Sequence, residues 1–345
     1  MANLDCAVIL AGGEGKRMKS DKPKVLSQVL FAPMLKWVTD AALRAGLTEL
    51  CVVCGFMREH VEDYLAQLKA QNTAYARVCS AYQSERKGTA HAVMMAEAFL
   101  KRHNGGSVLV LNGDAPLVDE AVIAASYELH KQQGNAVTVI AATLEDATGY
   151  GRIVRDSTGA LTAVVEQKDA DAATLAIKEV NSGAYWFDID DLLSVLYNID
   201  NCNAQGEYYL PDAIALLLAA GKRAGAYTAA QPYAVMGAND CMQLNQLNAV
   251  ARELILQRHM QNGVEIPCTD GVVIGPDVTI GRGSRILPAT LLLGNTVIGQ
   301  RCVLGPATVV ENSTVGDDVV LHSVRCIGQT VPDGQSPAAF CSLEN

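Results

Sequence analysis

The sequence predicts two architectures in tandem, an α/β domain with a mostly parallel sheet followed by a short parallel β-helix. Three observations carry this. Strand-like and helical runs alternate from the start to about residue 131, the pattern of a sheet covered by helices on both faces. From about residue 263 aliphatic residues recur every six positions. A chain of 345 residues is also too long for one ordinary core, so two domains are expected.

In order, residues 7–11 form an apolar run that breaks at a Gly-rich loop. Further strands are expected over 50–54, 76–81 and 108–111, and helical spacing over 33–45, 59–70, 89–102 and 119–132. Strands follow at 137–142, 163–165 and 184–187, turns at 148–151 and 156–159, and a helix at 210–220. Residues 239–260 read as one amphipathic helix with Leu244, Leu247, Val250, Leu254 and Ile255 on a common face. Asn262-Gly263 is its expected cap.

The six-residue period runs through Ile274, Ile280, Ile286, Leu292, Ile298, Leu304 and Val310. It slips by one at Val315 and resumes at Leu321 and Ile327. At three hexads per turn this supplies about three coils, each burying its aliphatic residues along a common core. The tail from 332 has no period. The expected organisation is therefore a first domain over 1–239, a linker helix over 240–262, a β-helix over 263–331 and an irregular tail over 332–345.

Charge and cysteine usage narrow the function. A net charge of −10 with no run of Lys or Arg argues against a nucleic-acid surface. An anionic ligand must then be held by a local cluster of cations. No apolar run is long enough to span a membrane, and the run at 7–11 is too short for a signal peptide. Ten scattered cysteines without a secretory signal read as reduced thiols in a cytoplasmic protein. Cys51-Val52-Val53-Cys54 has CxxC spacing, but it lies in a buried strand with no second pair, so packing is its expected role.

The opening loop is the clearest chemical signal. Leu10-Ala11-Gly12-Gly13-Glu14-Gly15-Lys16-Arg17-Met18 is followed by Pro23-Lys24. Glycines admit close approach of a ligand to the backbone, successive N–H groups make an anion nest, and Arg17 and Lys24 add charge where a polyphosphate would lie. No Gly-Lys-Ser/Thr closes it as in a Walker A loop, and the last Gly of the dinucleotide pattern is missing. The strand at 108–111 leads into Asn112-Gly113-Asp114, where a carboxylate beyond a strand's carboxyl end can hold Mg²⁺. The alternative is that Asp114 caps the helix beginning near Asp119 or shapes the turn before Pro116.

With Gln83, Gly88-Thr89-Ala90-His91-Ala92, Gly113-Asp114-Ala115-Pro116-Leu117, Thr148-Gly149-Tyr150-Gly151-Arg152-Ile153, Val165-Glu166-Gln167-Lys168-Asp169, Asn181-Ser182-Gly183 and Asn203-Ala204-Gln205-Gly206-Glu207-Tyr208-Tyr209, the order of motifs becomes specific. The first 240 or so residues resemble the uridylyltransferase part of the bifunctional UDP-N-acetylglucosamine pyrophosphorylase/glucosamine-1-phosphate acetyltransferase family. The resemblance implies a Rossmann-like nucleotidyltransferase domain and a left-handed β-helix.

It also implies roles. Leu10, Ala11, Gly12 and Gly13 would line the nucleotide, and Gln83, Gly88 and Thr89 would read the uracil. Asp114 and Asn239 would hold a catalytic Mg²⁺, with Gly113 beside them. Gly151, Glu166 and Asn181 would bind the sugar. Arg17 and Lys24 would act on the phosphates, as the sugar 1-phosphate attacks the α-phosphate of UTP and pyrophosphate leaves. Departures from the family pattern stand at Ala11-Gly12-Gly13, at Lys16 (expected to point into water) and at Asn112, where an aromatic residue is usual.

The family's longer β-helix ends in an acetyltransferase site whose histidine segment has no counterpart here. His322 falls in no matching motif, so acetyl transfer is not expected and the repeats are expected to assemble the chain as a trimer. The runner-up readings are a pyrophosphorylase for glucose 1-phosphate with UTP, dTTP or ATP, and a non-catalytic regulatory subunit.

Overall fold

The computed structural model describes residues 5–343, which form two compact units: 28–32 with 244–343, and the remainder up to Gln243. In chain order the first stretch holds β1 (Cys6–Ala11), the short pair β2 (Gln28–Val29) and β3 (Ala32–Pro33), α1 (Met34–Arg44), β4 (Leu50–Cys54), α2 (Arg58–Gln71) and β5 (Val78–Tyr82). Next come α3 (Thr89–Met95), α4 (Glu97–Leu100), β6 (Ser107–Asn112), α5 (Glu120–Gln133), β7 (Val137–Thr143), β8 (Arg152–Arg155) and β9 (Leu161–Val165). Then follow α6 (Ala172–Leu175), β10 (Glu179–Asp188), α7 (Ile189–Val195), α8 (Asp212–Ala219), β11 (Ala224–Ala229) and α9 (Cys241–Gln261).

The strands of the first unit make one sheet in the order β11-β7-β10-β6-β1-β4-β5, with β8 on β10 and β9 on β8. Pairs β6/β1, β1/β4, β4/β5 and β11/β7 are parallel, and β10 runs against both of its neighbours. Alternation decides which face each residue serves. Cys6 and Val8 of β1 pack with Phe99, Leu192 and Ile214 of α4, α7 and α8. Ala7 and Ile9 pack on the other face with Leu35, Leu65 and Ile123 of α1, α2 and α5. Both faces are thus covered, in the Rossmann-like layering expected.

Local chemistry sets the boundaries. Asp119 accepts from the Val122 N–H at 2.9 Å to start α5, and Gly134 ends it at φ +59°. So Asp119 rather than Asp114 is the cap. The helix expected over 89–102 breaks at Ala96 into α3 and α4. In the large sheet the strands missing from the sequence reading are β8 and β11, as is the short pair β2 and β3 outside it; Ala-Gly-Ala-Tyr-Thr-Ala of β11 has little strand propensity, and pairing with β7 holds it. Asp171 caps α6, and Asp169 accepts from the Ala204 N–H at 3.1 Å.

In the second unit the buried stripe of α9 is Leu247, Ala251, Ile255, Leu256 and His259. Leu244, Val250 and Leu254 are only half-buried, so the i,i+4 stripe replaces the expected face. Twelve short strands follow, β12 (Val273–Ile274), β13 (Thr279–Ile280), β14 (Arg285–Ile286), β15 (Leu291–Leu293), β16 (Val297–Ile298), β17 (Val303–Leu304), β18 (Val309–Glu311), β19 (Thr314–Val315), β20 (Val320–Leu321), β21 (Arg325–Ile327), β22 (Thr330–Val331) and β23 (Ser342–Leu343). They stack as three parallel sheets, consistent with a short left-handed β-helix.

Ile274 pairs with Leu292 and Leu292 with Val310, which are full eighteen-residue turns. Ile298 pairs with Val315 one residue early, the slip read in the sequence. After it the inward residue beneath Val310 is the fully buried Cys326, and Ile327 turns outward instead. The tail is also not wholly irregular, because Ser342–Leu343 adds a strand to the first sheet.

Two histidines tie stability to pH. His130 and His259 are 2 % and 5 % exposed, and burial pushes both down to about 4 from the ordinary 6.5. Below about pH 6.5 the unfolded chain binds protons that the folded chain refuses, so stability is lost as pH falls from about 6.5 towards 4. The expected loss is about 2 kcal/mol per histidine by pH 5. Denaturant unfolding of wild type and His130→Gln at pH 7 and 5 checks this. The variant's pH-dependent loss should be smaller, and equal losses would exclude His130 as a source.

Candidate active site

The carboxyl ends of β1, β4, β5 and β6 converge on one cleft of the first unit. β1 delivers the Gly-rich loop, and here glycine is needed where backbones touch. A Cβ on Gly55 would lie 2.6 Å from the Gly12 carbonyl oxygen, and one on Gly12 would lie 2.7 Å from Gln83 Oε1. Gly15 at φ +64° starts the turn that carries Lys16–Met18 and presses flush on the Lys24 stem. Lys16 points into solvent, its side chain 80 % exposed and 3.8 Å from Glu14. Arg17 is also exposed.

β4 and β5 set the next wall. Gln83 is 4 % exposed, and its N–H donates to the Cys54 carbonyl at 2.8 Å. Its Nε2 donates to the Gly88 carbonyl at 3.1 Å and lies 3.1 Å from His91 Nδ1. Gly88 sits at φ +108°, crossed by the chain at Tyr208. Tyr208 N–H donates to the Lys87 carbonyl at 2.8 Å, Ala90 N–H to the Tyr208 carbonyl at 2.9 Å, and Leu210 N–H to Thr89 Oγ1 at 2.9 Å. The 203–209 motif therefore clamps the Gly88-Thr89 turn.

β6 ends at Asn112-Gly113-Asp114, where Gly113 N–H donates to the Leu10 carbonyl at 2.9 Å. Asp114 is ion-paired with Lys24, whose side chain is only 9 % exposed. The same Nζ donates to Asn239 Oδ1 at 2.7 Å. Asn239 is held in turn, its N–H donating to Gln243 Oε1 at 2.7 Å. Three residues far apart in sequence thus meet at one cationic nitrogen.

A cavity of 560 Å³ holds the Gly loop, Lys24, Gln83, Gly88 and Thr89. A second of 280 Å³ holds Gly151, Glu166, Asn181 and Gly183. Arg17, Asn112, Asp114 and Asn239 line both. In the smaller cavity a Cβ on Gly151 would lie 3.2 Å from Glu166 Oε1. Burial, with Asp169 and Asp212 nearby, pushes the Glu166 carboxyl above its usual range. Asn181 is already engaged: its Nδ2 donates to Tyr185 Oη at 2.6 Å, its Oδ1 accepts from Gly183 N–H at 2.9 Å, and its backbone N–H donates to the Gly151 carbonyl at 2.9 Å. It braces the cavity floor with one amide hydrogen to spare.

Every residue singled out for the site falls on these two cavities except Ala11 and Gly113, which are packed beneath them. Among the lining residues given no site role from the sequence are Asn112 and Arg86. Asn112 packs its amide against Gly183, which has φ +75° and no Cβ to obstruct it. Arg86 reaches Glu14 at 3.0 Å across the mouth of the larger cavity. Its place between Gln83 and Gly88, within a segment already singled out, was the available signal. Cys51 and Cys54 are buried in β4 as expected.

The nucleotidyl transferase family model matches residues 6–233. A bifunctional GlmU protein from Caldanaerobacter subterraneus subsp. tengcongensis is 44% identical over 319 residues, covering 92% of this chain and 67% of that protein. One from Acetivibrio thermocellus is 41% identical over 339 residues, covering 98% of this chain and 71% of that protein. In fold, the chain is similar to a putative glucose-1-phosphate thymidylyltransferase from Bacillus anthracis, with TM-score 0.60 and 20% identity over 72% of this chain and 96% of that one. It is also similar to a UDP-glucose pyrophosphorylase complexed with UDP-glucose, with TM-score 0.58 and 19% identity over 72% of this chain and 99% of that one. With the family model spanning the whole sheet, and relatives of this identity over nine-tenths of its length, the chain belongs to the nucleotidyl transferase family and, within it, to the GlmU family.

Proposed function

We propose that the chain forms UDP-N-acetylglucosamine and pyrophosphate from UTP and N-acetylglucosamine 1-phosphate. The observation that supports this best is the four-residue junction of Arg17, Asn112, Asp114 and Asn239, shared by a nucleotide-sized cavity and a smaller polar one. A phosphate from each side would meet there. The attacking phosphate is already an anion, so the reaction needs no general base. What it needs is two polyanions held in line and compensation for the charge that grows on the leaving pyrophosphate. Arg17 offers a fork of donors to that pyrophosphate and Lys24 a buried ammonium. Gln83, held by Gly88 and Cys54, presents a fixed amide to the base.

The donor set fits Mg²⁺. Asp114 and Asn239 offer a carboxylate and an amide oxygen to one cation, Lys24 Nζ, and such oxygens suit a hard ion whose shell phosphates and water complete. Among the described residues no group of three or more His, Cys, Asp or Glu is placed to hold a metal ion. When bound, the metal would neutralise charge on the α-phosphate.

Glu166 is the proposed sugar-hydroxyl acceptor. Its raised carboxyl protonates at higher pH than an ordinary glutamate and then stops accepting. KM for the sugar phosphate should therefore rise as pH falls, while Glu166→Gln should show a KM raised about tenfold and flat over that range. KM–pH profiles of both proteins check this.

No acetyl transfer is proposed for these repeats. Their histidine, His322, has Nδ1 turned onto the Gly305 carbonyl, which supports a structural place for it. We further propose trimeric assembly through the β-helix, to be read from solution mass. Among the described residues no helix is long and apolar enough to cross a membrane.

Pyrophosphate release with Mg²⁺ over UTP, dTTP, ATP and GTP against N-acetylglucosamine, glucosamine and glucose 1-phosphates tests the reading. A further reaction with acetyl-CoA and glucosamine 1-phosphate is read for free thiol. Turnover confined to UTP with N-acetylglucosamine 1-phosphate, without thiol release, is expected. Turnover with another pair would move the substrate, thiol release would restore acetyl transfer, and silence from folded protein would overturn the enzyme.

A further inference from the structure

β5 is an edge strand, and its Cys79 lies directly opposite Cys51 of β4 in the parallel register. Directly opposed residues send their side chains to the same face, with strands roughly 4.8 Å apart. That separation falls within the roughly 4.4–6.8 Å between Cα atoms that a disulfide bridges. The two thiols are hydrogen-bonded to each other. Cys51 is 1 % exposed, whereas Cys79 on the sheet edge is half-buried.

The CxxC spacing of Cys51 and Cys54 is therefore misleading. Residues three apart in a strand face opposite sides, and Cys54 belongs to the other face of the sheet. Cys6 shares the Cys51 face, but burial and the neighbouring Asp5 and Glu49 hold its thiol protonated. The partner that geometry gives Cys51 lies across the sheet.

We propose that Cys79 and Cys51 form an oxidisable dithiol, a modification site for low-molecular-weight disulfides in which Cys79 is attacked first and Cys51 resolves. The chemistry balances. The Cys79 thiolate attacks one sulfur of RSSR, making a Cys79–S–S–R mixed disulfide and expelling RS⁻. Cys51 Sγ then attacks Cys79 Sγ, its proton passing to the second departing thiolate. The protein loses two hydrogens and RSSR becomes two RSH.

Exposure assigns the order, because a disulfide can reach half-buried Cys79 and not buried Cys51, and the electrostatics agree. Cys51 donates its S–H to Cys79, and Arg102 and Lys69 add positive potential against Glu49, so the Cys79 thiol is lowered to about 7. That same donated hydrogen bond, together with burial, pushes Cys51 far above the usual thiol range. The accessible thiol is the ionised one, and the inaccessible thiol is reached only from within the sheet.

Glutathione disulfide on the full chain tests this, read by intact mass and by peptide mapping without reduction. Wild type should lose two hydrogens and yield a Cys51–Cys79 linked peptide, reversed by dithiothreitol. Cys51→Ser should trap one glutathione on Cys79, and Cys79→Ser should leave Cys51 unmodified. If Cys51→Ser lowers the melting temperature, Cys51→Ala, which buries no hydroxyl, gives the same reading. The proposal is overturned if exposed Cys202 and Cys241 take up glutathione while no linked peptide forms. A bare Cys79 in both Cys51 variants, or linkage confined to other cysteines, overturns it as well.

Discussion

Lys24→Met should lower the rate of pyrophosphate formation by on the order of 10²–10³, the cost of removing one preorganised charge from a site where negative charge develops. The residue is engaged along its whole length. Its side chain is 9 % exposed, its stem packs on Gly15, and its Nζ holds both Asp114 and Asn239. Met keeps the stem's volume and deletes only the charge. Asp114 is left unpaired but 29 % exposed, so water can solvate it and the expected loss of stability is about 1–3 kcal/mol.

The same variant separates two roles for Lys24. If its ammonium stands in for the cation between Asp114 and Asn239, then removing it should tighten binding of Mn²⁺ to nucleotide-free protein by about tenfold or more, the roughly 1.4 kcal/mol that relief of a near like charge readily supplies. Mn²⁺ titration by electron paramagnetic resonance reads this without turnover. A slower enzyme with unchanged Mn²⁺ affinity would mean that Lys24 acts on phosphate alone. Unchanged turnover would remove it from the site.

The convergence on Lys24 is what the sequence could not display. Lys24 and Asn239 are separated by 215 positions, and no periodicity records such a meeting. Lys24 and Asp114 were legible singly, through the motifs around them, because a Gly-rich loop or a strand ending in Gly-Asp has local geometry, whereas Asn239 lies in no such motif and came only from the family resemblance. The hexads were legible for the same reason, since each rung repeats one local rule. That rule failed at Cys326, because a cysteine buries as well as an isoleucine and the pattern favours the larger aliphatic neighbour. β11 failed differently. Its alanines and glycine carry no strand signal, and its order comes from six in-register pairs with β7. Asn112 and Arg86 were missed because their roles depend on a hole at Gly183 and a carboxylate at Glu14, both supplied from elsewhere in the chain. The Cys51–Cys79 pair also needed strand register, where the sequence offered only a CxxC spacing.

Gly88→Ala carries the second large effect, and it should fall on the nucleotide and spare the sugar. Gly88 has φ +108°, a conformation that a Cβ opposes, and that Cβ would fall 2.5 Å from the Tyr208 carbonyl oxygen and 2.8 Å from its nitrogen. Neither atom is the end of a flexible side chain. Both belong to backbone that the Lys87 carbonyl and the Ala90 N–H already hold, so the strands of this crossing must move apart. Backbone strain alone costs about 1–3 kcal/mol. Gln83 follows, because its Nε2 is fixed by the Gly88 carbonyl, and Thr89 follows because Leu210 N–H anchors its hydroxyl. A displacement of about 1 Å in positioning groups can cost roughly 10²-fold. The expected result is therefore a fall in kcat/KM for UTP of about 10²-fold, with the dissociation constant of the sugar phosphate, taken from equilibrium binding, nearly unchanged. The smaller cavity, the proposed sugar site, is lined by residues 148–151, Glu166 and 181–183 together with the shared junction, and no residue of this turn lines it. Equal losses for both substrates would show instead that the clamp supports the whole sheet, and normal UTP kinetics in a folded variant would exclude the 83–89 turn from base recognition.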